Sequence, residues 1–441
     1  MNLLPQPLLL SAVIFASSWA QAADLLETFR AAQANDPIFA AARAAQQAGQ
    51  EKLPQGRSTL MPSVTLTANT TSNNQDVKYL GGPFTAFSGN YSYNSNGYGV
   101  TVVQPLFRQQ NWQAYSEAEL QVSQSEAQFR IAEQDLMLRV AQAYFDVLIA
   151  QDSVQLVEAQ KTAISEQLEQ AKRNFEVGSA TVTDTLEAQA RYDLTGAQEI
   201  AARNNLEIKR NALQQLIDTV PQGLKPLGKE FKLEAPQPED MEKWVDNAQA
   251  NSFQIAIAQA GATIADKEVM RNRGAHYPTV DLVANYSTNN ISGGSMPSDT
   301  TNRSIGVQLN MPLFQGGGVN SRWREAEANR ERARQELENA RRNVVQQTRQ
   351  AYLGVASGSA QVKALQQALA SSESVLEASK LGHEVGVRTN LDVLNAQQQL
   401  FSTRRDLYQA QYNYLISQLR LKAAAGSLGV EDLARVNQAL H

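Results

Sequence analysis

The sequence repeats itself, and that duplication limits the fold more than any other feature. Ala32-Gln33-Ala34-Asn35 returns as Ala248-Gln249-Ala250-Asn251, and Met61-Pro62-Ser63-Val64 as Tyr277-Pro278-Thr279-Val280, both 216 residues later. Pro105-Leu106-Phe107 returns as Pro312-Leu313-Phe314 after 207 residues. Ala143-Tyr144 returns as Ala351-Tyr352, and Glu176-Val177-Gly178 as Glu384-Val385-Gly386, each after 208. A single match of this size is cheap. Five in one order at nearly constant spacing mean a duplicated unit. The division implied is a signal peptide over 1–22, a first repeat over 23–220, a joining segment over 221–240, a second repeat over 241–426 and a C-terminal tail over 427–441.

Both repeats run through the same series of elements. A helical stretch rich in Ala and Gln comes first, from Leu25 to Leu60 and again from Met241 to Gly274. Its composition favours helix, and it closes at a proline that disfavours helix in the residue before it. Strands follow. Val64, Leu66 and Ala68 alternate with Thr65, Thr67 and Asn69; Val280, Leu282, Ala284 and Tyr286 alternate more clearly; Ile305, Val307, Leu309 and Met311 alternate with Gly306, Gln308 and Asn310. A period of two with one apolar face predicts strands. The stretches Asn73 to Asn96 and Asn289 to Asn302, rich in Gly, Ser and Asn, are predicted as loops, so each repeat holds a hairpin.

The pattern then changes to helix. Asn111 to Val177 contains neither Gly nor Pro, and Leu136, Val140, Tyr144, Val147 and Leu148 fall on one side at helical spacing. The second copy, Ser321 to Val385, has no Pro and only Gly354, Gly358 and Gly382. A short turn and a return helix follow, Asp184 to Val220 and Leu391 to Ala425. At 1.5 Å per residue the long helix of roughly 65 residues reaches about 98 Å. The return helix of roughly 37 residues reaches about 55 Å, and the first helix of roughly 30 about 45 Å. Two short helices end to end match one long one. Helices of this length need coiled-coil partners, so each repeat is expected to pair one long strut with two stacked short ones.

Composition narrows the function classes. Apolar residues make up 42% of the 441 but are scattered. Past the N-terminus there is no run of about 18 apolar residues, which argues against transmembrane helices. A net charge of −5 argues against a nucleic-acid partner. With no cysteine, disulfides, thiolate metal sites, cysteine nucleophiles and a lipidated N-terminal cysteine drop out. Leu8 to Ala16 forms an apolar core and Ala20-Gln21-Ala22 a small-x-small cleavage site, so export and a mature start at Ala23 are expected, although Met1 to Leu10 contains no Lys or Arg.

No catalytic or metal constellation stands out. His276, His383 and His441 are scattered, whereas a metal site needs clustered ligands. His383-Glu384 lacks the second histidine of a zinc-protease motif, and Gly316-Gly317-Gly318 lacks the third glycine of a dinucleotide fingerprint, leaving it a turn. Arginines from Arg322 to Arg342 alternate with Glu325, Glu327, Glu331, Glu336 and Glu338 as a solvated helix face does. The expectation is a non-enzyme without cofactor or metal.

The strands pose a closure problem. The smallest bacterial transmembrane barrels have about eight strands, and an open sheet in lipid leaves backbone groups unpaired at several kcal/mol each. An exported chain with four strands closes a sheet by oligomerising, and three copies give twelve strands. Tyr79, Phe84, Tyr98, Phe107, Tyr286 and Phe314 suit interfacial aromatic girdles, or are ordinary core and loop aromatics.

The order helix, hairpin, long helix, turn, helix, repeated once, resembles the TolC family of outer-membrane efflux and secretion ducts. The most specific pieces are Phe175-Glu176-Val177-Gly178-Ser179-Ala180-Thr181-Val182-Thr183-Asp184, its twin Val385-Gly386-Val387-Arg388-Thr389-Asn390-Leu391-Asp392-Val393-Leu394, and Tyr412-Asn413-Tyr414-Leu415 followed by Leu421-Lys422-Ala423-Ala424-Ala425-Gly426. The resemblance spans essentially all of the mature chain. It implies an α+β membrane protein: a homotrimer with a twelve-stranded transmembrane β-barrel among the lipids of a Gram-negative outer membrane, and a long antiparallel coiled-coil α-barrel across the periplasm. It also implies a passive exit duct for small molecules and/or proteins, docked through a periplasmic adaptor to an inner-membrane ABC or proton-driven transporter. Lacking cysteine, this chain departs from the lipid-anchored members. The competing reading is a periplasmic coiled-coil adaptor or structural protein without a pore, which has no need of two hairpins with lipid-compatible faces.

Both helix turns carry a capping box. Thr181-x-x-Asp184 and Thr389-x-x-Asp392 each follow Val-Gly, a helix stop. A threonine N-cap contributes roughly 0.5–2 kcal/mol. The resemblance implies a second role at a gate on the periplasmic tips. Asp392 becomes an acidic ring at the constriction, and Arg388 links to Thr183 and Asp184 of a neighbouring helix pair through a charge-assisted tie. His383 stands where relatives often place a tyrosine in this network. Asn395, one turn inward from Asp392, stands where relatives commonly have a second acid.

Overall fold

The computed structural model describes residues 24–219, 223–228, 233, 235–294 and 296–440. The expected signal peptide and part of the joining segment lie outside the described residues. In chain order the first repeat gives helices α1 (Leu25–Asn35), α2 (Pro37–Gln50) and α3 (Lys52–Ser58), strands β1 (Ser63–Val77) and β2 (Gly89–Phe107), and helices α4 (Gln109–Glu176) and α5 (Val182–Ile217). The second gives α6 (Met241–Asn251), α7 (Phe253–Arg273), β3 (Thr279–Ser292), β4 (Ser298–Asn310), α8 (Gly318–Glu384) and α9 (Asn390–Ala424), followed by α10 (Val430–Asn437).

The first helix of each repeat is broken where the sequence reading had it continuous. Pro37 has no N–H and its ring collides with the preceding turn. Asp36 therefore leaves the helix at ψ 118, and its carboxylate accepts the Phe39 N–H at 2.9 Å to start α2. Ser252 holds the matching position between α6 and α7, at ψ 124, without a proline. The break belongs to the repeated plan. The strands, in turn, run further than their apolar alternation. Asn73 pairs with Tyr93 and Val77 with Gly89, and Asn290 pairs with Asp299, so much of both predicted loops is strand. Backbone pairing carries a hairpin on through Asn, Ser and Thr once the register is set.

Two compact units emerge, and both draw on both repeats. The first consists of residues up to Ala40, Glu133–Trp244 and from Thr348 onward. Its centre is aromatic: Tyr144, Phe145 and Tyr412 are essentially inaccessible, with ring centroids 5.9 and 5.6 Å apart along the chain of three. Each such ring contributes roughly 1.5–3 kcal/mol by burial. Tyr144 donates to the Lys225 carbonyl at 3.2 Å, and its duplicate Tyr352 donates to that of Glu239 at 2.6 Å. The duplicated tyrosines thus hold the two ends of the joining segment. The expected tail contains α10, which buries Leu433 and Val436. Asn437 receives the Leu25 N–H and donates to Asp24, each at 3.0 Å, so the α1 N-terminus is satisfied from the far end of the chain. Asp36 is almost fully buried and meets Arg139 through two hydrogen bonds of 3.3 and 2.8 Å.

The second unit, Ala41–Ala132 and Val245–Gln347, carries one antiparallel sheet in the order β1-β2-β3-β4. Ser63 pairs with Val103, Val103 with Val283, and Val283 with Gly306. A bulge falls between Pro105 and Phe107, beside a proline that gives the ladder no donor. Arg108, just past β2, grips Asp281 of β3 with bonds of 2.8 and 2.6 Å, and Arg271 of α7 meets the buried Glu117 of α4 at 2.9 Å.

Candidate functional site

The sheet has two chemically different faces. Residues opposite each other in a ladder share a face. Val64, Leu66, Val100 and Val102 therefore lie with Tyr286, Ala284, Leu282 and Val280, and these with Ile305, Val307 and Leu309. The other face carries Thr65, Thr67, Thr101, Asn285, Ser287, Ser304 and Gln308. Val64, Leu66, Ile305, Val307 and Leu309 are each at least 65% exposed. A mainly apolar face opposite a mainly polar one is the pattern of a transmembrane β-barrel wall. Of the aromatic residues singled out above, Phe84, Tyr98, Phe107, Tyr286 and Phe314 are exposed. No described helix is long and apolar enough to cross a membrane, and the described residues contain no cluster of three acidic or histidine side chains fit for a metal.

The second feature is the pair of helix turns in the first unit. Gly178 and Gly386 adopt φ of 76° and 77°, the left-handed conformation a helix stop needs. Ser179 N–H returns to the Asn174 carbonyl and Val387 N–H to that of Gly382, both at 2.8 Å. Each turn then opens the next helix with a complete capping box. Thr181 Oγ1 accepts the Asp184 N–H at 3.3 Å, and the Asp184 carboxylate accepts the Thr181 N–H at 2.9 Å. Thr389 and Asp392 repeat this at 3.2 and 2.9 Å. The threonine hydroxyl and backbone bonds hold both carboxyls below the usual aspartate range, with smaller help from His383 at Asp184 and from Arg388 at Asp392.

The other residues of the predicted gate are placed as follows. Thr183 is exposed in the first turn of α5, and His383 is half-buried in the last turn of α8. Arg388 is 59% exposed and lies 3.8 Å from Asp392. Within one chain it therefore pairs with Asp392 rather than Asp184. A β-carbon at Gly382 would lie 2.6 Å from Arg388 Cγ, so the absent side chain makes room for the arginine. On α9, Val393, Leu394, Ala396, Gln397 and Leu400 are buried. Val393, Ala396 and Leu400 pack with Leu376 of α8, while Leu394 packs with Ile164, Leu168 and Ala188. Asp392, Asn395, Gln398 and Gln399 are left on the open stripe.

One partner was not visible in the sequence. Arg191 of α5 donates to Asn395 Oδ1 at 2.9 Å and also to Gln398 Oε1. An isolated arginine on a helix gives no local signal, and its two acceptors stand 204 and 207 residues away.

The family model described as outer membrane efflux protein matches residues 29–219 and 244–427. The chain is 32% identical to the outer membrane protein TolC of Escherichia coli, over 96% of this chain and 86% of that protein. It is 33% identical to the alkaline protease secretion protein AprF of Pseudomonas aeruginosa, over 93% and 86%. The solved structure of the outer membrane protein VceC from Vibrio cholerae shares the fold with a TM-score of 0.79 at 20% identity, over 91% of this chain and 96% of that one. With the family matched in both repeats and a sheet built to face lipid, the chain belongs to the outer membrane efflux protein family: it is a TolC-family export duct of the Gram-negative outer membrane, extending into the periplasm.

Proposed function

We propose that three copies of this chain form a passive, gated duct that receives cargo from an inner-membrane pump through a periplasmic adaptor. The observation that carries the reading is the four-stranded sheet with one apolar face, whose outer strands β1 and β4 each have only one neighbour among the described residues. Such edges are untenable in lipid, and they are satisfied when β4 of one copy meets β1 of the next. Twelve strands then close. Channels of this family work as trimers with an adaptor and an inner-membrane pump. The pump is of the ABC or proton-driven kind, and the cargo is small molecules and/or protein, since the relatives' names include both protease secretion and efflux. The proposed chain plan is a leader over 1–22 removed on export, repeats over 23–220 and 241–426 joined by 221–240, and a tail over 427–441.

The duct closes at its helix tips. Asp392 lines the constriction with Asn395 behind it, and Arg388 of one helix pair ties to Thr183 and Asp184 of its neighbour, with His383 at the same joint. Arg388 supports this because its contact within one chain is long, at 3.8 Å, and the guanidinium is mostly exposed. Detergent extracts of outer membranes, run unboiled on a denaturing gel, are expected to give a trimer that heating converts to monomer. The same trimer is expected to conduct in a planar bilayer. A monomer before heating that forms no channel overturns the proposal and favours a poreless coiled-coil protein.

A further inference from the structure

We infer that Arg191 makes the second ring of the constriction basic, so that this duct alternates acidic and basic rings where it narrows. The inference rests on the gate reading above, in which the open stripe of α9 lines the conduit. Along that stripe Asp392 and Asn395 are three residues, or about 4.5 Å, apart. Both side chains next inward on this stripe, Asn395 and Gln398, turn their amide oxygens to Arg191. Those oxygens are neutral. They fix the guanidinium without cancelling its charge, and among the described residues no carboxylate lies within ion-pair distance of it. On its own helix Asp184 closes the Thr181 cap and Asp193 accepts from Gln189 at 3.0 Å, while Glu187, one turn before Arg191, forms no ion pair with it. Two of the five guanidinium N–H groups are used in these contacts, which leaves others free to meet an anion.

The amide at position 395 is the residue this arrangement requires. A carboxylate there would form an ion pair with Arg191 and erase the ring's charge. An asparagine holds the arginine and leaves the charge standing. In a trimer the conduit then presents three guanidinium groups a short distance inward from three carboxylates, so cations meet a barrier after the ring that attracts them and anions meet a foothold. The result is a duct of weak cation preference, open to anionic cargo.

Zero-current potentials of trimers in planar bilayers under a KCl gradient test this. Arg191→Gln is expected to move the potential toward that of a K⁺-selective pore. Asn395→Asp is expected to do the same by pairing with the arginine, and Arg191→Lys to stay near wild type because the charge remains. Asp392→Asn is expected to move the potential the opposite way. Trimer mobility and circular dichroism establish that each variant is folded. If Asp392→Asn shifts the potential but Arg191→Gln and Asn395→Asp do not, Arg191 does not face the conduit and this inference falls while the gate reading stands. If none of the variants shifts it, both fall.

Discussion

A single carboxylate can serve as a cap, a charge and a titratable group, and Asp36 separates these roles more cleanly than Asp184 and Asp392 do. It is nearly inaccessible, and hydrogen bonds from Arg139 hold its pKa below the ordinary aspartate value, with the Phe39 N–H adding to the effect. A group whose folded pKa is depressed stabilises the protein above its unfolded value, about 3.9, and loses that contribution as pH falls through the folded value. Unfolding midpoints of wild type should therefore drop as pH is lowered from about 5 toward 2. Arg139→Met leaves the buried carboxylate unpaired and is expected to cost about 3 kcal/mol near neutral pH, the lower end for a broken buried pair, since Arg139 keeps 25% of its side chain exposed. Its stability should fall less on acidification, because the unpaired carboxyl gains from protonation. A variant with the wild-type pH slope contradicts the assignment. The second repeat has Ser252 and Gln347 at the corresponding positions, so this ion pair is present in one copy only.

Elements were legible wherever a local rule was strong. Runs free of Pro and poor in Gly gave the long helices, the Val-Gly stops with Thr-x-x-Asp boxes gave the turns, and apolar alternation gave the helix-proximal parts of β1, β3 and β4. The strand ends were not legible, because Asn, Ser and Thr serve a paired backbone as well as they serve a loop. Helix α10 was missed because eight residues carry little periodicity, though Gly429 before Glu431 and Asp432 is a start signal. At the two helix turns the caps could be read, whereas Arg191 takes meaning only from α9 beside it. The duplicated Ala-Tyr pair marked the repeat without revealing that its hydroxyls anchor the joining segment. Tyr352→Phe removes one such bond and should cost about 1 kcal/mol; Tyr144→Phe removes two, because its hydroxyl also accepts the Lys225 N–H at 3.1 Å, and should cost about 2 kcal/mol. The sharper readout is limited proteolysis between residues 221 and 240, which should quicken in each variant and most in the double. Unchanged cleavage would mean the segment is held by other contacts.

At the scale of the whole assembly, small terms gain weight by symmetry. An exposed ion pair contributes roughly 0.2–1 kcal/mol, too little for one proposed Arg388–Asp184 tie to decide whether a trimer holds together. Three ties broken in concert amount to about 0.6–3 kcal/mol, which biases an opening equilibrium by a factor of roughly 3 to 150 at 1.4 kcal/mol per tenfold. The twelve-stranded sheet and the coiled coils do not depend on these ties. Arg388→Ser should therefore leave the unboiled trimer and its heat dissociation unchanged while raising single-channel conductance or open time in planar bilayers. A second variant separates a lost tie from a lost charge. Gly382→Ala places a methyl 2.6 Å from Arg388 Cγ, so the side chain must swing away while its charge remains. If the tie closes the duct, Gly382→Ala opens it in the same direction as Arg388→Ser. If Arg388→Ser alone raises conductance, the arginine acts through its charge in the conduit. If neither does, the turns serve only to cap α5 and α9, and closure resides elsewhere in the trimer.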